Sequence, residues 1–302
     1  MRPASLISTT SIATVVALAS MASDARATSP PHLDHVLVIV MENKSYDEVR
    51  TQPYTASLIA QGSSFSNSYA VTHPSQPNYL ALWAGSTLGV TNDICPPAGS
   101  PWAVENFGHA CEAAGLTWRA YSENLPAAGS PVCTATGTLY TRKHDPWTDF
   151  SNLDHSNERP YTDLAADEAG STLPNLAFVI PNNCDNSHDS GCPVAFADAW
   201  LAANVPAMLD ALGPSGMLVL TWDEDDFSTN NHILTVFVGP KVMQGYVSTG
   251  TINHYTVVRT LCETLGLAPF GSSSSQPVIT DVWNDTTPAT RYSWGRLKTI
   301  YR

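Results

Sequence analysis

Five short runs of apolar and β-branched residues set the frame of this chain: HVLVIVMEN from His35, LTWRAYSEN from Leu116, NLAFVIPNN from Asn175, GMLVLTWDE from Gly216 and HILTVFVGP from His232. Their cores are nearly continuous in hydrophobicity rather than alternating, the pattern of strands covered on both faces. Helical periodicity fills the intervals. Val104, Phe107, Ala110, Cys111 and Ala114 share one face, as do Phe196, Trp200, Val205, Met208, Leu209 and Leu212, and again Val257, Val258, Leu261 and Leu265. Strands alternating with helices predict an α/β fold: a doubly wound, mainly parallel sheet with helices on both faces.

In open sheets of this kind ligands bind beyond the carboxyl ends of the strands. Polar residues fall at those places here: Glu42 and Asn43 after the first run, Asn182 to His188 after the third, and Asp223 to Asp226 after the fourth. The loops carrying them are expected to converge on one rim.

The remaining chain limits what such a rim can serve. Hydrophobic residues make up 43% and charged residues 14%, a composition that fills a core rather than a disordered coil. A net charge of -13 turns away nucleic-acid backbones and anionic membranes, and no segment carries the roughly 20 mostly apolar residues of a membrane span, so neither nucleic acid nor stable membrane insertion is expected. Residues 1–27, with Arg2, an uncharged stretch and Ala25-Arg26-Ala27, read as a secretory signal peptide. That leaves 28–302 as a single domain, exported to a periplasmic or extracellular setting. Six cysteines then favour disulfides, and Cys184 and Cys192, which bracket one polar loop, are the expected pair. Cys262 lies on an apolar helical face, where a buried free thiol is the alternative.

The chemistry gathers at a few places. In THPSQPNYLALWAGST, Pro74 and Pro77 restrict the backbone around Ser75, and Asn78 is a candidate N-cap for the helix that follows. TWDEDD sets four carboxylates side by side, and a divalent cation is a natural way to hold Asp223 and Glu224 beside buried structure; a solvated acidic turn is the alternative. Asp185 and His188 in PNNCDNSHD are three residues apart and form half of a metal site. His232 reaches the same rim if the preceding FSTNN segment crosses over. Arg142, Lys143 and His144 in RKHDPW are candidate phosphate contacts, and Asn253 is expected to cap a helix opening at His254.

MENKSY, THPSQPNYLALWAGST, WRAYSENLP, RKHDPW, PNNCDNSHD, LTWDEDD and NHILTVFVGP, in this order, resemble the successive motifs of the bacterial and fungal acid phosphatase and phospholipase C phosphoesterase family, within the alkaline phosphatase superfamily. The serine stretch is also similar to the T-F-P-N nucleophile motif of nucleotide pyrophosphatase/phosphodiesterases. The resemblance implies hydrolysis of a small phosphate ester through a phosphoserine on Ser75. It also implies phosphate contact at Asn78 and a divalent metal ion held by Glu42, Asn43, Ser75, Asp223 and Glu224. Where two-metal relatives have Asp-His, this chain has Asp223-Glu224, which counts against a second metal on Asp185, His188 and His232. His188 and His73 are the candidates for protonating the leaving alcohol. A phospholipase C-type diesterase and a non-catalytic metal- or glycan-binding protein are the alternatives.

Overall fold

The strand β1 (His35–Met41) divides its side chains between two cores. Val36, Val38 and Val40 enter one hydrophobic cluster while Leu37, Ile39 and Met41 enter the other, as the two-residue period of a strand requires. These relations come from a computed structural model that describes residues 29–284, so the expected signal peptide at 1–27 lies outside the described residues.

Eight further strands join β1: β2 (Ser63–Tyr69), β3 (Trp118–Ser122), β4 (Glu158–Pro160), β5 (Leu176–Ile180), β6 (Gly216–Trp222), β7 (His232–Ile233), β8 (Thr235–Val238) and β9 (Tyr246–Asn253). Among the described residues they form one sheet in the order β4-β3-β5-β1-β6-β8-β2-β7, with β9 paired to β2. From β4 to β6 every pairing is parallel. β8 then runs antiparallel to both β6 and β2, and β9 returns parallel to β2. The sheet is therefore mainly parallel, as the apolar runs predict, with an antiparallel insertion on one side.

Helices cover both faces. α1 (Tyr46–Val49), α2 (Pro53–Gln61), α5 (Leu164–Gly170) and α6 (Val194–Leu212) send Val49, Leu58, Leu164 and Leu201 into the core of Leu37 and Ile39. α3 (Ser75–Ala84), α4 (Phe107–Ala113) and α7 (His254–Leu265) send Trp83, Phe107 and Leu261 into the other. All ten residues of α3 are buried, and Trp83 packs among Phe107, Trp118, Trp147 and Phe178 at centroid distances of 5.1–6.2 Å. A helix anchored so deeply holds its first residue, Ser75, rigidly. Gly85 ends it at φ +61°, where a Cβ would meet the Phe270 carbonyl oxygen at 2.6 Å, so both the turn and the packing require glycine.

α3 begins at Ser75, one turn before the expected cap. Asn78 lies inside the helix, and its side chain folds back onto the entering loop, accepting from Val71 N and Thr72 N at 3.1 Å and donating to Thr72 O at 2.7 Å. α7 starts as expected, with Asn253 and Thr256 forming a reciprocal capping box. Cys184 and Cys192 are bonded, Cys95 is joined to Cys133, and Cys111 and Cys262 are free and buried.

Candidate active site

Register decides which residues meet. In the parallel β1–β6 pair, Met41 lies opposite Trp222, so the residues that follow, Glu42 and Asp223, emerge side by side. Asp223 N donates to Met41 O at 3.0 Å, and Asn43 N donates to Asp223 Oδ1 at 3.1 Å. The buried His254, at the start of α7, holds Asp223 from behind through Nε2 to its carbonyl oxygen at 2.7 Å. Burial pushes the His254 imidazole down to about 4, so it is neutral and serves as a donor.

Ser75 points into this corner. Its Oγ lies 3.1 Å from Glu224 Oε1, 3.2 Å from Glu42 Oε2 and 3.4 Å from Asn43 Oδ1. A hydroxyl has one hydrogen and cannot donate to three acceptors at once. The structure thus brings Glu42, Asn43, Ser75, Asp223 and Glu224 together.

Glu42 also faces a second group. Its Oε1 accepts from Tyr79 Oη at 2.5 Å and lies 3.0 Å from His144 Nε2, near enough for charge pairing although the angle is poor for a hydrogen bond. The ligand atoms of Glu42, His144 and His188 fall within 4.8 Å of one another. Lys143 Nζ donates to His188 Nε2 at 3.0 Å and to Asp93 Oδ2 at 2.8 Å, and Asp93 Oδ1 accepts from Gln76 N at 2.9 Å. Burial opposes ionisation of Glu42, but contact with His144 and the field of the Lys143 ammonium outweigh it and hold the carboxyl well below the ordinary range, while burial pushes the His144 imidazole down and leaves the lasting positive charge to Lys143. With an ammonium on its imidazole, this half of the site offers positive charge and N–H donors, which suit a phosphoryl group better than a second metal.

Several expected members take other roles. Both nitrogens of His73 face carboxylates, Nδ1 at 2.7 Å from Glu224 Oε2 and Nε2 at 3.2 Å from Asp225 Oδ1, so His73 braces Glu224 and has no free nitrogen for a leaving group. The Asn78 amide donates to Thr72 O and Pro74 O, with Glu224 Oε2 at 3.4 Å, and is used up within the turn rather than turned to substrate. Arg142 is buried, paired with Asp149 and donating to Pro131 O at 2.8 Å. Asp185 accepts from Asn182 Nδ2 at 2.7 Å. His232 bonds Ser66 O at 2.9 Å and stacks on Tyr46 at 4.5 Å, so Asp185 and His232 are not brought to a shared centre with His188. Two contributors escaped the sequence reading: Tyr79 looks like a core residue of an apolar helix, and Asp93 sits in a loop without periodicity.

The Phosphoesterase family model matches residues 49–268. The chain belongs to the phosphoesterase family. It is 40% identical, over 86% of each chain, to a phosphatidylinositol-3-phosphatase of Mycobacterium tuberculosis. An acid phosphatase of Aspergillus fumigatus is 28% identical over 76% of this chain, which spans 54% of that longer protein. Among solved structures, an alkaline phosphatase superfamily protein of Vibrio parahaemolyticus superposes with a TM-score of 0.62 at 12% identity, covering 83% of this chain and 72% of that one. This phosphoesterase is a hydrolase of phosphoric esters with the mixed α/β fold of that superfamily.

The oxygen corner of the phosphoesterase fits a divalent cation. Burial, with Glu42 and Glu224 close by, raises the Asp223 carboxyl well above its ordinary range, and its Oδ2 is buried without a hydrogen-bond partner. Burial, with Glu42 nearby, pushes Glu224 up to about 8. Asn43 Oδ1 faces the oxygens of Ser75, Glu42 and Glu224; with the amide turned over, its nitrogen would donate to Glu42 Oε2 at 2.8 Å and Glu224 Oε1 at 3.2 Å. An all-oxygen donor set of this kind matches a hard divalent ion such as Mg²⁺, Ca²⁺ or Mn²⁺.

Proposed function

We propose that the protein is an exported, metal-dependent acid phosphatase that hydrolyses phosphomonoesters through a phosphoserine on Ser75. The observation that carries this reading is the position of the Ser75 hydroxyl, 3.1–3.4 Å from oxygens of Glu42, Asn43 and Glu224, with Glu42 also neighbouring His144 and His188. A divalent cation on Glu42, Asn43, Ser75, Asp223 and Glu224 supplies the Lewis acidity that lowers the serine's proton affinity and neutralises phosphoryl charge. Lys143 and His144 receive the non-bridging phosphoryl oxygens and orient phosphorus toward Ser75 Oγ. The Oγ–P bond forms as the bond from phosphorus to the alcohol oxygen breaks; the Ser75 proton leaves to solvent and the alcohol oxygen takes one from water, while His188 holds the Lys143 ammonium in place. Water then adds to phosphorus, the Ser75–phosphate bond breaks, and inorganic phosphate leaves. Export is supported by the signal-like segment at 1–27 and by two disulfides, which persist in oxidising compartments.

Ser75→Ala tests the scheme: kcat on a soluble monoester should fall by at least about 10³-fold while the fold remains. Rapid acid quenching of the wild-type protein should trap phosphate on the Ser75 peptide. Normal turnover by the alanine variant would end the proposal. The identity to a phosphatidylinositol-3-phosphatase favours a second reading of the substrate, a phosphorylated inositol headgroup. Rates on phosphatidylinositol 3-phosphate vesicles and on a soluble monoester distinguish the two.

A further inference from the structure

Beside the oxygen corner lies a cavity of about 410 Å³ lined by Tyr69, Val71, His73, Phe227, Asn230 and Asn231 with neighbouring residues. The reaction outlined above does not use it. It is nonetheless joined to the nucleophile through two contacts: His73 Nδ1 lies 2.7 Å from Glu224 Oε2, and Glu224 Oε1 lies 3.1 Å from Ser75 Oγ.

The cavity's most conspicuous wall is Phe227. One face of its ring stacks on His73 with centroids 3.9 Å apart and planes inclined by 17°, yet the residue is 74% exposed. It is not a loose end. Asp225, whose side chain is buried, accepts from Phe227 N at 2.8 Å, Thr229 N at 2.8 Å and Asn231 N at 2.9 Å, and so holds the whole turn. Phe227, Asn230 and Asn231 sit at φ values of 66°, 57° and 63°, a left-handed conformation uncommon for residues with side chains. The fold thus fixes a large aromatic ring in water at the edge of the site.

The lining also states what the cavity can receive. It contains no lysine or arginine, it includes the Asp225 carboxylate, and its one imidazole is already paired with two carboxylates. An anion is unwelcome there, so the phosphoryl group belongs on the Lys143 side. Aromatic faces with amides beside them suit a neutral ring, and a space of about 150 Å³ is enough for benzene. We propose that this cavity is the subsite for the alcohol portion of the ester, and that it selects ring-bearing alcohols by stacking on Phe227. This rests on the phosphomonoesterase reading and names the leaving-group class.

The test compares benzyl phosphate with butyl phosphate, whose leaving alcohols are similar in acidity, so that the ratio of their kcat/KM values reports recognition of the ring. The expected wild-type ratio favours benzyl phosphate, and Phe227→Ala lowers that ratio about 3- to 10-fold, the size of one aromatic stacking contact. Phe227→Tyr keeps the ratio, as does Phe196→Ala, which removes an exposed aromatic from α6. A ratio unchanged in Phe227→Ala overturns the subsite while leaving the phosphatase reading intact. Failure of the wild-type protein to hydrolyse either ester takes both down together.

Discussion

Lys143 Nζ lies 3.0 Å from His188 Nε2, and this contact sets the state of the imidazole. An ammonium can only donate, so Nε2 accepts and the ring hydrogen sits on Nδ1, which donates to Asp189 Oδ1 at 2.8 Å. Lys143→Met removes the ammonium and with it the fixed tautomer. Steady-state kinetics should show a loss of about 10- to 100-fold in kcat/KM on a soluble monoester, the size of a charge-assisted hydrogen bond to phosphate. An unaltered kcat/KM would mean that Lys143 does not meet the substrate.

The crowded carboxylates predict an unusual stability response. In metal-free protein the raised Asp223 carboxyl contributes stability that is full below the ordinary carboxylate range and is lost as pH rises through its folded value. Chelation at neutral pH should therefore abolish activity and lower the melting temperature, and Mg²⁺, Ca²⁺ or Mn²⁺ should restore both. Asp223→Asn should melt higher than wild type in chelator and should lose the upward shift on adding metal. If the wild-type melting temperature ignores both chelator and metal, the oxygen corner holds no cation.

A second pH effect lies behind His144. Burial pushes the Asp145 carboxyl up to about 7; one oxygen accepts from Ser122 Oγ at 2.6 Å and the other has no partner. The folded value exceeds the unfolded one, so the contribution is complete below about pH 4 and disappears as pH rises through 7. Denaturant titrations from pH 4 to 8 should show this slope, worth about 4 kcal/mol, and Asp145→Asn should remove it. Equal slopes in the two proteins would refute the assignment.

The two disulfides should differ in their effects. Cys95–Cys133 closes a separation of 38 residues and Cys184–Cys192 one of 8. Replacing both cysteines by alanine should cost about 4 kcal/mol in the first case and about 2.5 kcal/mol in the second, from loop-closure entropy. The shorter ring, however, carries His188. Its loss should reduce turnover out of proportion to stability, whereas loss of the longer one should reduce chiefly stability, as paired melting and kinetic measurements would reveal.

Much of this architecture is legible in the sequence because buried parallel strands need unbroken apolar runs, which β1, β5 and β6 have. β2 and β9 are not legible in this way. SSFSNSY and YVSTGTIN are rich in Ser, Thr and Asn, and their polarity is absorbed by contacts between strands and with nearby segments, such as Ser68 Oγ to Thr235 Oγ1 at 2.8 Å and Asn67 Nδ2 to Thr249 O at 2.8 Å. Such pairings exist only in the folded sheet.

The site divides in the same manner. Glu42, Asn43, Asp223 and Glu224 can be read because each directly follows a strand, and register then makes them neighbours. His73, Asn78 and Arg142 mislead because residue type names what a side chain is able to bind and leaves open what it does bind. Their partners Asp225, Thr72 and Asp149 come from the backbone path, which no local motif encodes.

Asn43 and Asp223 are bonded across 180 positions of sequence. Chemistry therefore waits on a long-range contact: until β6 has docked beside β1, a growing or clipped chain has a serine but no surroundings to make it react. Activity in any preparation counts only the molecules whose folding has reached completion.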